Sequence, residues 1–283
     1  MTLKNARRPG RRARPPLGRE GLLGPAGARA RRDVRSRFPN EFALAQDIFR
    51  LAWALPLTDV RSSKQRALAA LLFIKIRNDY QALIKLVELG LCIQAETILR
   101  GFLEALVRLS LLCTDEAFVE EYEAGEIIHR SRFIRSGARG EYPGLEEGDV
   151  EWARDQLERL EAELADGGTK REARIHELFE RAGWKGAYEC HYRSLCASAH
   201  TNLHAIDRYL GQNEDGETFP LVGPIGDGIP YALSVAMHWL LETMRQLARL
   251  FTDLELGEDF CALERRLSEQ SQSYREAFAG VLE

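Results

Sequence analysis

The chain is poor in the residues that build sheets. Aromatic residues make up only 8% of it, and Val, Ile and Thr are sparse beside Leu, Ala, Glu and Arg. Strands draw on aromatic and β-branched residues, so a sheet protein is not expected. No CxxC pair occurs. The five cysteines, Cys92, Cys113, Cys190, Cys196 and Cys261, are odd in number and scattered, which argues against a zinc ribbon, a redox dithiol or a disulfide framework. They read as reduced, small core residues of a cytoplasmic protein. The longest unbroken apolar run is Ala67–Ile74, bounded by Arg66 and Lys75. That is far too short to span a membrane, so no membrane partner is expected. The basic N-terminus has one apolar patch, Gly21–Ala28, broken by Pro25, and lacks the apolar stretch of a secretory signal. A Gly-rich phosphate loop, a Ser nucleophile elbow and an HExxH pair are also missing. No cofactor is expected.

What is present favours helix. Of the 283 residues, 45% are hydrophobic, which suffices for a core, and the Leu/Ala/Glu/Arg-rich mixture has high helix propensity. The formal net charge of -4 averages two unlike parts. Residues 1–37 hold twelve Lys/Arg against Glu20 and Asp33, about +10, so the remaining body carries about -14. An acidic body argues against a broad nucleic-acid surface and leaves room for a small basic site. Residues 1–37 are rich in Arg, Pro and Gly without hydrophobic period, and a disordered tail is expected there. A nucleic-acid-binding arm and a merely solvating upstream extension are both consistent with it.

From Asn40 the pattern is helical. Helices are expected near 41–55, 63–89, 92–113, 116–135, 149–165, 171–182, 187–210, 230–254 and 259–279. Ser62 or Ser63 caps the second, Gly90 stops it, and Pro56 stops the first. The helix at 92–113 is apolar on most sides and should be the most buried. Residues 211–229, with five glycines and two prolines around TFPLV, suit a small hairpin or an ordered loop. The expected fold is all-α: an antiparallel bundle of about eight or nine helices, with 38–283 as a single helical domain.

Two helices carry the candidate chemistry. In Glu189–Gly211, Arg193, Ala197, His200, His204 and Asp207 share one stripe at 100° per residue, flanked by an apolar face. In the third helix, Glu96, Arg100 and Glu104 recur at steps of four. That pattern suits an Arg held by acids toward a ligand and a solvent stripe of ordinary ion pairs equally well. His200 and His204 stand at i, i+4, as helical zinc pairs do. Thr201 occupies the place where a metalloprotease has Glu, and a third ligand would have to come from Glu189 or His238, so no metal is expected. Trp53, Trp184 and Trp239 sit in apolar stretches that suit a core or an interface, and Trp152 suits a bundle seam.

Arg193 and His200 are separated by six residues, which resembles the R-x(4–6)-H signature of the HEPN superfamily. Its members are helical bundles, many of them metal-independent ribonucleases of toxin and antiviral systems. The resemblance implies His200 as acid/base and Arg193 as phosphate clamp, a chemically sensible pairing of a neutral-pH proton carrier with a fixed cation. HEPN motifs often place Asn, Asp or His after the Arg, and Ser194 stands there instead. A second resemblance covers roughly residues 60–210. The run GLCIQAETILRGFLEALVRL, followed some ninety residues later by YRSLCASAH, is similar to a large bacterial family of uncharacterised helical proteins. Its marks are L-R-x-x-x-E and Y-x(5)-S-x-H, here Arg100 and Glu104, then Tyr192, Ser198 and His200. This likeness implies that Arg100, Glu104 and His200 share a site, with Tyr192, Ser198 and His204 supporting.

Two functions follow as expectations. One is a HEPN-like ribonuclease of toxin or phage-defence type, with RNA as partner and Arg193 and His200 acting. The other is a non-enzymatic helical scaffold or sensor binding a protein or small ligand through the same cleft. A homodimer is expected in either case.

Overall fold

A computed structural model describes residues 19–167, 172–200, 203–212, 216–221, 223 and 228–282. For 166, 167, 204 and 273–282 it describes the backbone alone. The described residues are overwhelmingly helical, with one two-stranded hairpin. The elements are α1 (Pro25–Arg37), α2 (Pro39–Ala54), α3 (Lys64–Glu88), α4 (Cys92–Thr114), α5 (Phe118–Ala138), α6 (Glu147–Gly167), α7 (Ile175–Arg181) and α8 (Lys185–Ala187). After a π turn (Tyr188–Tyr192) come α9 (Arg193–Ala199), α10 (Leu203–Asp207), β1 (Leu210–Gln212), β2 (Thr218–Pro220), α11 (Ile229–Leu250) and α12 (Glu258–Leu282). Among the described residues, no helix is long and apolar enough to cross a membrane.

The punctuation follows the expected chemistry. Ser63 caps α3, its side chain accepting from Arg66 N at 3.1 Å. Gly90 ends it with φ +72, which lets Leu91 N reach back to Leu86 O at 2.9 Å. The α4 helix is central. It packs against α3, α11 and α9 and buries Leu99, Phe102, Leu103, Leu106, Val107, Leu109 and Leu112 around most of its circumference. Each such side chain contributes about 1.5–3 kcal/mol on leaving water. Outside this core, α5 pairs with α6, and α12 lies across α2 and α11.

Three expectations change. Residues 25–37 form a helix rather than continuing the tail, while residues 1–18 lie outside the described residues. The helix forms because Pro25 starts it and tertiary contacts hold it. Val34 is buried, and Arg31 and Arg35 meet Glu88, 1% exposed, at 3.5 and 2.5 Å, with Lys85 at 3.2 Å. The single helix expected over 187–210 is broken at the π turn and again at His200. Only Cys92 and Cys113 are buried, whereas Cys190 and Cys261 are exposed. Of the two alternatives for Trp53, core or interface, its exposure excludes the core; the Arg77 guanidinium covers part of its ring at 4.9 Å, and Trp152 is exposed as well.

Glu88→Gln should release α1. The expected result is a loss of about 1–3 kcal/mol of stability and faster hydrogen exchange across residues 25–37. Unchanged exchange there would mean that apolar contacts alone hold α1.

Candidate functional site

The α4 stripe foreseen in the sequence faces the π turn, α9 and the segment after α10, and the two ends of the stripe do different things. α9 runs antiparallel to α4, which brings Tyr192 beside Arg100 and Glu104, and Ser198 beside Glu96. The π turn makes the first match. Its wider loop, closed by Arg193 N on Tyr188 O, leaves Tyr192 turned inward at 3% exposure. Tyr192 is stacked there on Tyr188 at 5.4 Å and packed near Phe179, also at 5.4 Å.

At this end, Arg100 Nη2 donates to the Tyr192 hydroxyl at 2.9 Å, and the hydroxyl donates to Glu104 Oε1 at 2.6 Å. Arg100 and Glu104 close the triangle at 3.0 Å, and the guanidinium lies 5.3 Å from the Tyr192 ring centre. Burial, then the bond to Glu104 and its charge, hold the phenol above its ordinary value. Burial opposes the charge on Arg100, but its contact with Cys196 and the charge of Glu104 outweigh it, so the guanidinium is held more basic than usual. Arg100 Nε is buried without a partner among the described residues.

At the other end, Glu96 is buried and grips Arg208. Nη2 donates to Oε1 at 2.8 Å and Nη1 donates to Oε2. The Ser198 hydroxyl donates to the same carboxylate and accepts from Arg208 Nη1 at 3.2 Å. The bond to Glu96 raises the Arg208 pKa, against burial. Gly228 closes over this pair. Its φ is +94, and a Cβ there would sit 3.4 Å from Arg208 Nη2 and 3.6 Å from Glu96 Oε1, so glycine serves both the turn and the close approach. Gln94 donates to the Tyr209 hydroxyl at 2.8 Å, adding a second tie between α4 and the segment after α10.

Four sequence-predicted residues, Arg100, Glu104, Tyr192 and Ser198, thus line one α4–α9 seam. Arg193 and His200 do not join it. Arg193 is exposed and donates to Glu189 at 2.5 Å, and that bond raises its pKa. His200 is exposed at the end of α9, with extended backbone at φ -98 and ψ 134. The break there places His204 on α10, so the two histidines do not form an i, i+4 pair on one helix, and the His204 side chain lies outside the described residues. No group of three or more His, Cys, Asp or Glu among the described residues could hold a metal. Arg208 and Gly228 were not legible as partners of Glu96. The pair spans 112 positions, and a broken helix hides which face Arg208 takes.

A phenol pushed upward and two fully charged arginines move no proton near neutral pH. Beyond Glu104 a cleft of about 560 Å³ opens between α3, α4 and α5, lined by Lys75, Gly101, Arg108, Tyr122 and His129 among others.

The raised phenol has a consequence for stability. Below pH 10.0, its ordinary value, tyrosine is protonated folded and unfolded. Above it the unfolded chain ionises first, so stability falls as the pH rises through the folded value. Tyr192→Phe should flatten part of that alkaline loss, read as urea midpoints between about pH 9 and 11, the buried Tyr80 phenol accounting for a further part. An unchanged alkaline slope would show that Tyr192 ionises as freely folded as unfolded.

No curated protein and no solved structure matches the chain. A family model matches across the seam: over residues 66–218, more than half its length, the chain belongs to the family of unknown function DUF5677.

Proposed function

We propose that this chain is a non-enzymatic helical binding protein. Its α4–α9 seam is a rigid frame, and its α9–α10 edge docks a second copy. The observation that carries this reading is the mutual satisfaction of the seam. Glu96, Ser198 and Arg208 engage one another, and Arg100, Tyr192 and Glu104 close a triangle in which only Arg100 Nε lacks a partner among the described residues. Groups so engaged hold helices in place and leave little for a substrate. The edge beside them is apolar and exposed: Leu203 and Ile206 on α10, Leu210 on β1 and Phe219 on β2. Exposed apolar side chains gathered on neighbouring elements suit a protein interface. Five scattered cysteines, free in the structure, suit a cytoplasmic setting.

A second reading has its own observation. Arg193 and His200 are both exposed at the two ends of α9, where pairing of two copies through this edge would gather two Arg/His sets. Such a composite site is what metal-independent RNA cleavage of the HEPN type would need, with His200 moving the proton and Arg193, freed from Glu189, holding the phosphate.

Two measurements separate the readings. Light scattering should give a dimer mass for the full chain and a monomer for Leu203→Glu; a monomeric wild type would remove the docking role. An RNA cleavage assay in EDTA should show no turnover for wild type. Cleavage that is lost in both His200→Ala and Arg193→Ala would overturn the non-enzymatic reading and establish the ribonuclease.

A further inference from the structure

A second cavity, of about 410 Å³, lies between the π turn, α11 and α12, and none of the seam residues lines it. Two helical stripes face each other across it. Ser234, His238, Leu241 and Arg245 come from α11, and Glu264, Leu267, Ser268 and Ser271 come from α12. Their spacings of three and four residues place each set on one face. His191 enters from the π turn, its Nδ1 3.4 Å from the Tyr231 hydroxyl, and Trp239 forms part of the wall. The volume lies within the range of small-molecule sites.

The polar inventory of the wall is lopsided. Among the described residues its one carboxylate is Glu264, which accepts from Arg245, and Arg245 also donates to Glu242. Glu242 in turn accepts from Gln246. The acidic groups are therefore engaged. Ser234 and Ser271 bond each other at 3.4 Å and His191 is met by Tyr231, so the donors that remain are the Ser268 hydroxyl, the His238 imidazole and the further N–H groups of Arg245. Trp239, 6% exposed, carries an indole N–H with no acceptor among the described residues. Donors in excess around an apolar floor of Val235, Leu241 and Leu267 call for a ligand that brings acceptor oxygens.

We propose that this cavity binds the oxyanion of a small metabolite, a carboxylate or a phosphate monoester, between His238, Arg245 and Ser268, with its apolar part against Leu241 and Leu267. The proposal rests on neither reading of the α9 edge. The neighbouring charges add a pH dependence. His191 is held below its ordinary value by burial and by His238. His238 is held below its own by burial, with Glu242 and Glu264 opposing and Arg245 assisting. A bound oxyanion favours both imidazolium forms, so binding takes up protons and tightens as the pH falls below 6.5, the ordinary imidazole value.

The test is tryptophan fluorescence titration of the full chain with acetate, benzoate and inorganic phosphate, at about pH 6 and pH 8. Saturable binding is expected for at least one probe, stronger at the lower pH. Preference for phosphate or for the carboxylates identifies which oxyanion the site takes. Ser268→Leu, which fills the cavity, should weaken binding by about tenfold or more. His238→Gln, which keeps a polar side chain without a titrating one, should lose most of the pH dependence. Thermal melts establish that each variant is folded, and either folded variant alone suffices. No saturable binding by any probe at either pH, or unaltered affinity and pH dependence in a folded variant, would overturn the proposal.

Discussion

A carboxylate buried in the wall of a helical bundle has to be answered, and in this protein the answer is Arg208. The bidentate grip between Glu96 and Arg208 joins the most buried helix, α4, to the segment that follows the broken end of α9. Ser198 ties α9 into the same pair, and Gly228 brings the start of α11 against it. Truncating one member of such a pair strands the other, which costs about 3–5 kcal/mol in a dry interior and less here, where Arg208 is a quarter exposed. Through this contact the segment that carries α10 and begins β1 is tied to α4.

A second polar track leaves α4 on another face. Ser110 donates to Gln246 at 3.2 Å, Gln246 donates to Glu242, and Arg245 links Glu242 to Glu264 on α12. The oxyanion cavity sits at the far end of that track. Both tracks begin on the helix that supplies the largest share of the apolar core, and each adds directional bonds to its hydrophobic contacts. In a bundle whose core is built largely from leucine and alanine, directional bonds of this kind specify one packing among many.

Much of the fold was legible because it rests on periodicity and punctuation. The Lys64–Glu88 and Cys92–Thr114 helices read directly from an apolar stripe, a serine cap and a glycine stop. The seam was partly legible: Arg100 and Glu104 stood on one stripe, and the resemblance to a family of uncharacterised helical proteins singled out Tyr192 and Ser198 on the facing segment. What stayed hidden was set by tertiary contact. The helix at 25–37 reads as tail because nothing local announces that Glu88 is buried and waiting for Arg31 and Arg35. The π turn and the break at His200 carry no strong sequence signal, so a continuous helix placed Arg193, His200 and His204 on one stripe that the backbone does not keep.

The central claim is that the α4–α9 seam is a structural lock whose strength lies in paired groups. The most direct measurement is a double-mutant cycle in unfolding free energy, using Glu96→Met, Arg208→Met and the double variant. The account predicts a coupling of about 1 kcal/mol or more, with the double variant more stable than Arg208→Met alone because no buried carboxylate is left stranded. Additivity within about 0.5 kcal/mol would contradict it, and would mean that Glu96 and Arg208 do not hold the segment to the bundle.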